Sequence, residues 1–236
     1  MNSKWKKISF VSALVALVSL SIAAILFFTT GIVALGERKS VTINEERSFD
    51  LEGVEAIDLG TISTNVRVGT SASGKIEARL SGTVATNYPE KAIPTMESET
   101  RGRELKIWMS TTSGEVRARG LKTKEAEFSS VSGDIKVKDF EGDVALRTTS
   151  GEIAIDYSRF DNTVRISSTS GDVRLGLSKM VEFRLSVRTT SGDIDCDFPI
   201  TMTGSGAGRC SLEGTVGSGS NAITIKTVSR GIDIKS

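Results

Sequence analysis

VRTTSGDIDCD, at residues 187–197, is one copy of a pattern that returns along most of this 236-residue chain. Each copy has a hydroxyl residue, a variable residue, Ser, Gly, an acid and an apolar residue. The other copies are TTSGEVRA at 111–118, SVSGDIKV at 130–137, TTSGEIAI at 148–155, STSGDVRL at 168–175 and the variant TVSRGIDI at 227–234. Their serines recur at intervals of about 20 residues, or about twice that for the last pair, which is typical of a solenoid.

Apolar residues alternate with polar residues on both sides of each Ser-Gly pair. One apolar column before the serine contains Met109, Phe128, Leu146, Ile166, Val187 and Ile225. A second column, after the serine, contains Val116, Ile135, Ile153, Val173, Ile194 and Ile232. Alternation of this kind predicts half-buried strands. Each copy therefore reads as a strand, a Ser-Gly corner and a second strand, with like positions stacked about 4.8 Å apart in successive coils.

We predict an all-β fold for residues 50–236: a single-domain parallel β-helix, or β-solenoid, with coils of about 19 residues. The corner glycine is expected to adopt a positive φ. Arg230 displaces the last corner glycine by one place and is expected to distort that corner. The predicted corner residues are Ser113, Gly114, Ser132, Gly133, Ser150, Gly151, Ser170, Gly171, Ser191 and Gly192.

Two stretches depart from the repeat. Residues 69–106 are predicted to be an irregular insertion, although VRVGTSASGKIEARLSG at 66–82 favours a hairpin at its start. The Gly- and Ser-rich stretch at 203–221 has no phosphate-loop lysine after its glycines, so a nucleotide site is not expected there. We interpret it as a looser coil or turn.

The N-terminal segment has the pattern of a membrane anchor. Residues 8–28 carry no charge, a length that can cross a bilayer as a helix, and lysines precede them. We predict a cytoplasmic tail at 1–7, a transmembrane signal-anchor helix at 8–35 and a linker at 36–49. The domain would then lie outside the cytoplasm, in the periplasm or at the cell surface, on a single-pass membrane protein. Cleavage after Gly36 as a signal peptide is the alternative.

Composition excludes several kinds of site. The chain has no His and two Cys, which excludes Ser-His-Asp catalysis, His-based metal sites and four-cysteine zinc or iron–sulfur sites. No cofactor is therefore expected. The net charge is +1, and without a basic stripe in the sequence we expect no nucleic-acid partner.

The repeated (T/S)-x-S-G-(D/E)-(I/V) corners resemble those of a bacterial family of extracytoplasmic repeat domains described as adhesins of unknown function. The stretch GSGSNAITIKTVSRGIDI at 217–234 is similar to that family's C-terminal coil, except that Arg230 stands where the family usually has Gly. The resemblance covers about residues 50–236. It implies a β-solenoid in the cell envelope and carries over no catalytic residue.

The acid that follows each corner glycine forms a column of carboxylates. Its members are Glu115, Asp134, Glu152, Asp172 and Asp193. Stacked carboxylates suit Ca²⁺, but one acid per coil is sparse beside calcium-binding repeats with several ligands per turn. We interpret the column as solvated carboxylates that help to form the corners, and we predict no metal site.

Three further side chains stand out. Cys196 occupies a core column in which other copies have apolar residues, so it fits a free, buried thiol. A disulfide between Cys196 and Cys210 is also permitted outside the cytoplasm. Trp108 points outward by alternation, either as a binding platform or as a side chain covered by the insertion.

The sequence favours a non-enzymatic binding or scaffolding module, adhesin-like, anchored by its N-terminal helix and contacting an envelope protein or polymer. Two alternatives stay open. One is an envelope-stress sensor, which would need a membrane partner because its short tail holds no signalling domain. The other is a polysaccharide-acting β-helix enzyme, which would need a carboxylate pair in a cleft. Because the acids recur with the repeat, as structural residues do, we predict that the protein is not an enzyme.

Overall fold

The computed structural model describes residues 39–49, 56–61, 63–71, 74–86, 95–99, 106–208 and 210–236. The chain divides into two compact units, Met1–Lys39 and Ser40–Ser236, and the fold below belongs to the second. The predicted tail at 1–7 and anchor helix at 8–35 lie outside the described residues. Among the described residues, no helix is long and apolar enough to span a bilayer.

Every regular element in the described part of the chain is a strand, so the all-β prediction is confirmed. The strands are β1 (Lys39–Phe49), β2 (Ala56–Thr61), β3 (Asn65–Thr70), β4 (Ile76–Thr86), β5 (Thr95–Glu99), β6 (Lys106–Thr111), β7 (Val116–Arg119), β8 (Lys122–Ser130), β9 (Ile135–Ser150), β10 (Ile153–Tyr157), β11 (Thr163–Ser170), β12 (Val173–Gly176), β13 (Phe183–Arg188), β14 (Ile194–Cys196), β15 (Thr201–Gly208), β16 (Ser211–Val216), β17 (Asn221–Ser229) and β18 (Ile232–Lys235).

The strands form two sheets that are joined through β9, the longest strand. Strands that follow a corner form sheet A, in the order β4, β3, β7, β9, β10, β12, β18 and β14. Strands that precede a corner lie in sheet B together with the antiparallel strands β5, β16 and β15, in the order β5, β2, β6, β8, β9, β11, β17, β13, β16 and β15. The strand β1 pairs with β4, so the segment predicted as a linker at 36–49 contains a strand.

Like positions of neighbouring repeats pair side by side. In sheet A, Ile153 pairs in parallel with Ile135 on one side and with Val173 on the other, and all three are fully buried. In sheet B, Ile166 pairs in the same way with Leu146 and with Ile225. Because side chains alternate across a strand, each apolar column forms a continuous buried stack while the residues between face solvent.

The coils are not stacked in the order of the sequence. The last coil, formed by β17 and β18, lies between the coil of β11 and β12 and the coil of β13 and β14. Ile232 pairs with Val173 on one side and with Ile194 on the other. The doubled interval between Ser191 and Ser229 therefore adds no coil between these two copies, which are direct neighbours in the stack.

Antiparallel strands cover both ends of the stack. At one end β3 pairs with β4, which confirms the hairpin predicted at 66–82, and β2 pairs with β5. Since β5 lies at Thr95–Glu99, this part of the predicted irregular insertion is a regular strand. At the other end β16 runs antiparallel to β13 and β15 to β16, so the stretch at 203–221 contains a hairpin rather than a looser coil or turn.

A chain of aromatic rings runs through the interior. The rings of Phe128, Phe140, Tyr157, Phe160, Phe183 and Phe198 contact one another in sequence, edge to face, with centroids 5.0–6.4 Å apart. Such contacts each contribute about 0.5–1.5 kcal/mol beyond the area that they bury. The Tyr157 hydroxyl donates a hydrogen bond to the Gly142 carbonyl at 3.1 Å, and burial raises the pKa of the phenol far above its ordinary value. The interior therefore contains a chain of aromatic contacts that the alternation of apolar residues along single strands did not predict.

The corner glycines are required for a reason other than the one predicted. Gly114, Gly133, Gly151 and Gly171 do not have positive φ, and among the predicted corner glycines only Gly192 does, at 154°. Each corner instead packs directly on the next. A Cβ atom on Gly171 would lie 1.8 Å from the Gly151 carbonyl oxygen, and one on Gly133 would lie 1.9 Å from that of Gly114. There is no room for a side chain between stacked backbones.

The last corner is distorted, as the displaced glycine predicts. Arg230 has a φ of 107°, a region that favours glycine, whereas Gly231 has an ordinary φ. We expect Arg230→Gly to raise the free energy of unfolding by about 1 kcal/mol because backbone strain is relieved. Arg230→Ala keeps the strain and is the matched control. Denaturant unfolding checks both variants, and an equal gain with alanine would contradict this explanation.

Candidate functional site

The carboxylate column joins neighbouring coils through their backbones. The Asp134 carboxylate accepts a hydrogen bond from the Glu152 N–H at 3.0 Å. The Gly231 N–H donates to Asp172 in the same way, at 3.1 Å. In the first copy an amide oxygen of Asn65 replaces the carboxylate and accepts the Glu115 N–H at 2.9 Å. These side chains therefore act as acceptors for the next corner along the stack.

The carboxylates also pair with cations on the outer face of sheet A. Arg117 lies 2.7 Å from Glu115, and Lys136 lies 3.2 Å from both Glu115 and Asp134. Burial alone would raise the pKa of Asp134, but the Glu152 amide and the Lys136 ammonium together hold it below its ordinary value. Asp134 is therefore ionised throughout the neutral range, and its charge is compensated locally.

We expect Asp134→Ala to cost about 1–2 kcal/mol because the Glu152 N–H loses its acceptor. Asp134→Asn keeps an acceptor, as Asn65 does naturally, and should cost less. Because the folded pKa is lowered, the charge contributes stability that is present above the unfolded pKa and is lost as pH falls through the folded one. The difference between wild type and Asp134→Asn should therefore shrink below about pH 4. Denaturant unfolding from pH 7 downward tests this, and a constant difference would contradict it.

The column does not gather into a metal centre. Within the residues that the structure describes, no group of three or more Cys, Asp or Glu side chains could hold a metal ion. Two of the hydroxyls that lie two places before a corner serine bond to the backbone of their own corner: Thr111 Oγ1 accepts the Gly114 N–H at 3.0 Å and Ser130 Oγ accepts the Gly133 N–H at 2.8 Å. Between coils, the predicted corner residue Ser132 donates its hydroxyl to the Thr112 carbonyl at 3.1 Å.

Cations on the outer face of sheet B form a different arrangement. Arg147, Arg165, Arg184, Arg188 and Lys226 are exposed on the neighbouring strands β9, β11, β17 and β13, and we call this group the basic patch. Two of them have carboxylate partners: Arg147 pairs with Glu127 and Arg188 with Glu213, each at 2.7 Å. The other three have no carboxylate within ion-pair distance among the described residues. Their charge is therefore not compensated locally.

The patch is centred on one row of residues that crosses sheet B from strand to strand. We call it the Ser-cation row, and neighbours in it are paired in register. In spatial order its members are Gly60, Ser110, Ser129, Arg147, Ser167, Lys226, Arg188 and Ser211. The row has no acid and no aromatic side chain. At a strand spacing of about 4.8 Å it is about 34 Å long.

This surface was not predicted from the sequence, because coils that stack in chain order would not bring its residues together. Lys226 belongs to the last coil, and only the insertion of that coil brings it beside Arg188 and Ser167. The sequence contains one signal for the basic patch, which is the residue three places before the corner serine in each copy. That position holds Ser110, Ser129, Arg147, Ser167, Arg188 and Lys226.

The remaining predicted residues lie apart from the patch. Trp108 is half-buried in sheet B, paired with Asp58 and Glu127 in the acidic half of that face. Cys196 is half-buried on the edge strand β14 and Cys210 is exposed, and both are free thiols, so no disulfide joins them. Burial raises the pKa of the Cys196 thiol.

The comparisons with known proteins give a family and no closer relative. A family model described as Toastrack DUF4097 matches residues 95–235, which run from β5 to β18. This is an uncharacterised family with a β-solenoid-like fold. Neither a curated protein nor a solved structure gives a significant match to the chain.

Proposed function

The chain belongs to the Toastrack DUF4097 family, and from this premise we propose that residues 50–236 form a parallel β-solenoid that serves as a binding or scaffolding module. The parallel, in-register pairing of Ile135, Ile153 and Val173 supports the solenoid. The role rests chiefly on the basic patch, where exposed cations without carboxylate partners stand on a stack of closely packed coils. Adhesion to an envelope component is one form of this role.

The proposed role is non-enzymatic. A glycosidase needs a carboxylic acid whose pKa is raised, beside a second carboxylate. The column acids offer the opposite chemistry, because Asp134 has a lowered pKa and Glu115 pairs with Arg117 and Lys136. Carboxylates committed to neighbouring cations and backbone amides are poor proton donors at neutral pH. The carboxylate column is therefore better suited to binding than to hydrolysis.

We also propose that the N-terminal segment anchors this domain on the outer side of a cell membrane. The uncharged stretch at 8–28 and the lysines before it support this orientation. The exposed thiol of Cys210 allows a direct test. A small membrane-impermeant maleimide should label Cys210 of the full chain in intact bacterial cells, and Cys210→Ser should abolish the rapid labelling. Labelling that appears only after cell lysis would place the domain in the cytoplasm.

The binding role is tested with the soluble 40–236 fragment immobilised and exposed to envelope extracts. We expect saturable retention of one envelope component, protein or polymer, that salt releases. Incubation with envelope glycans should release no reducing sugar. Release of reducing sugar would overturn the non-enzymatic proposal, and absence of any saturable retention would overturn the binding proposal.

A further inference from the structure

We propose that the Ser-cation row binds a linear phosphodiester polymer, such as a chain of glycerol phosphate units, laid lengthwise along the stack. This inference deepens the proposed binding function and rests on it. It depends on the chemistry of the row, on the shape of the row and on what flanks it.

The row offers hydrogen-bond donors for oxyanions along its length. Arg147, Lys226 and Arg188 supply cationic donors, and serine hydroxyls occupy most of the remaining positions. Guanidinium groups match phosphate oxygens with two parallel hydrogen bonds. The exposed ion pairs of Arg147 and Arg188 do not prevent this, because such pairs contribute only about 0–1 kcal/mol and are easily exchanged.

The shape of the row favours a thread-like ligand over a broad one. The neighbouring row of sheet B carries Asp58, Trp108 and Glu127 next to the serine half of the Ser-cation row and Glu213 at its other end, and Glu125 lies one row further. A flat anionic membrane pressed on this face would meet those carboxylates. A single polymer strand can follow the Ser-cation row, which has no acid. It can also contact the cation Arg165, which lies in the same neighbouring row, beside Thr224.

The row also lacks the features that recognise other polymers. Single-stranded nucleic acid is held by aromatic side chains on which bases stack, and the described row contains none. A neutral glycan would leave the charges of the three cations in the row uncompensated, and the row has no carboxylate or amide side chain. A phosphodiester chain with one charge per repeat, whose two free oxygens accept hydrogen bonds, fits the available groups.

The test uses the full chain in detergent, a fluorescent glycerol phosphate polymer of about 20 units and anisotropy titrations across a series of salt concentrations. We expect log K to fall linearly with log salt. The double variant Arg165→Ser with Lys226→Ser should weaken binding at least tenfold. It should also make the salt slope shallower by about 1–2, about 1 for each phosphate group that the variant no longer neutralises.

A matched control removes the same charge from the other face. This control is the double variant Arg67→Ser with Lys138→Ser, whose two residues are exposed on sheet A. It should leave the affinity within about twofold of wild type and the salt slope unchanged. Equal weakening in both double variants would mean unspecific attraction and would overturn the proposal. Tighter binding of oligo-dT, which is a phosphodiester chain that carries bases, would overturn the exclusion of nucleic acid. Tighter binding of polygalacturonate of equal length would overturn the assignment to phosphodiester. Retention of an envelope protein by wild type and the sheet B variant alike, without polymer binding, would remove this inference and leave the binding function standing.

Discussion

A chain that ends at Gly217, and so lacks β17 and β18, is expected to have no cooperative unfolding transition. The removed coil contributes Ile223, Ile225, Ile232 and Ile234, which are all buried. Loss of each large buried side chain costs about 2–5 kcal/mol, so the four together cost about 8–20 kcal/mol, which is as large as a typical total stability of about 5–15 kcal/mol. The cut also leaves β11 and β12 without the strands that separate them from β13 and β14.

The matched control is a chain that ends at Lys235, which keeps both strands and should unfold like wild type. Circular dichroism and urea titration compare the three chains. In a solenoid whose coils stack in chain order, removal of the last coil would only shorten the stack and lower its stability gradually. A truncated chain with a sharp transition near that of wild type would therefore show that the last coil is dispensable and contradict its central position.

Gly171→Ala is expected to lower the free energy of unfolding by about 3 kcal/mol or more, beyond the usual cost of overpacking. The new methyl group would lie 1.8 Å from the Gly151 carbonyl oxygen, which belongs to the backbone and cannot move aside without shifting a neighbouring coil. The φ of Gly171 is ordinary, so backbone strain at the residue itself is not the cause.

Gly231→Ala distinguishes two explanations for the loss of stability, contact between stacked corners and removal of glycine itself. Gly231 also lies at a corner and has an ordinary φ. A Cβ atom added to Gly231 would have Asp172 Oδ1 as its nearest neighbour, at 3.7 Å, which is an ordinary contact. We expect it to change the free energy of unfolding by less than about 1 kcal/mol. Urea unfolding of both variants gives the comparison. Similar losses of stability in the two variants would mean that removal of glycine, and not contact between corners, causes the instability.

The local pattern of the repeat was sufficient to predict the strands and their buried faces. Alternation around Ile153 and Ile166 depends only on neighbours in the chain, and both residues are buried as expected. The role of the corner glycines was predicted for the wrong reason, because a sequence indicates that glycine is needed without distinguishing positive φ from contact between backbones. The aromatic chain was missed since Phe160 and Phe183 do not occupy equivalent repeat positions.

The order of the coils could not be predicted from the repeat. Each copy has nearly the same apolar columns, so the pairing of Ile232 with Ile194 is as compatible with the pattern as any other. The order depends on the hairpin of β15 and β16, which returns the chain across β13 before β17 begins. The basic patch follows from that order, which is why its members were identified only in three dimensions.

The short strand β14 has a consequence for how copies of this protein meet. Among the described strands it forms the outer edge of sheet A, with Ile194 and Cys196 only half-covered, and the exposed carboxylates of Asp193, Asp195 and Asp197 alternate along that edge. An open strand edge is a template for end-on addition of another sheet, and charges at the edge oppose it. The charges of Asp193 and Asp195, and that of Asp197, which Lys235 compensates in part at 3.5 Å, would face any incoming strand of the same sequence. The acidic edge therefore acts as a built-in stop against fibre growth.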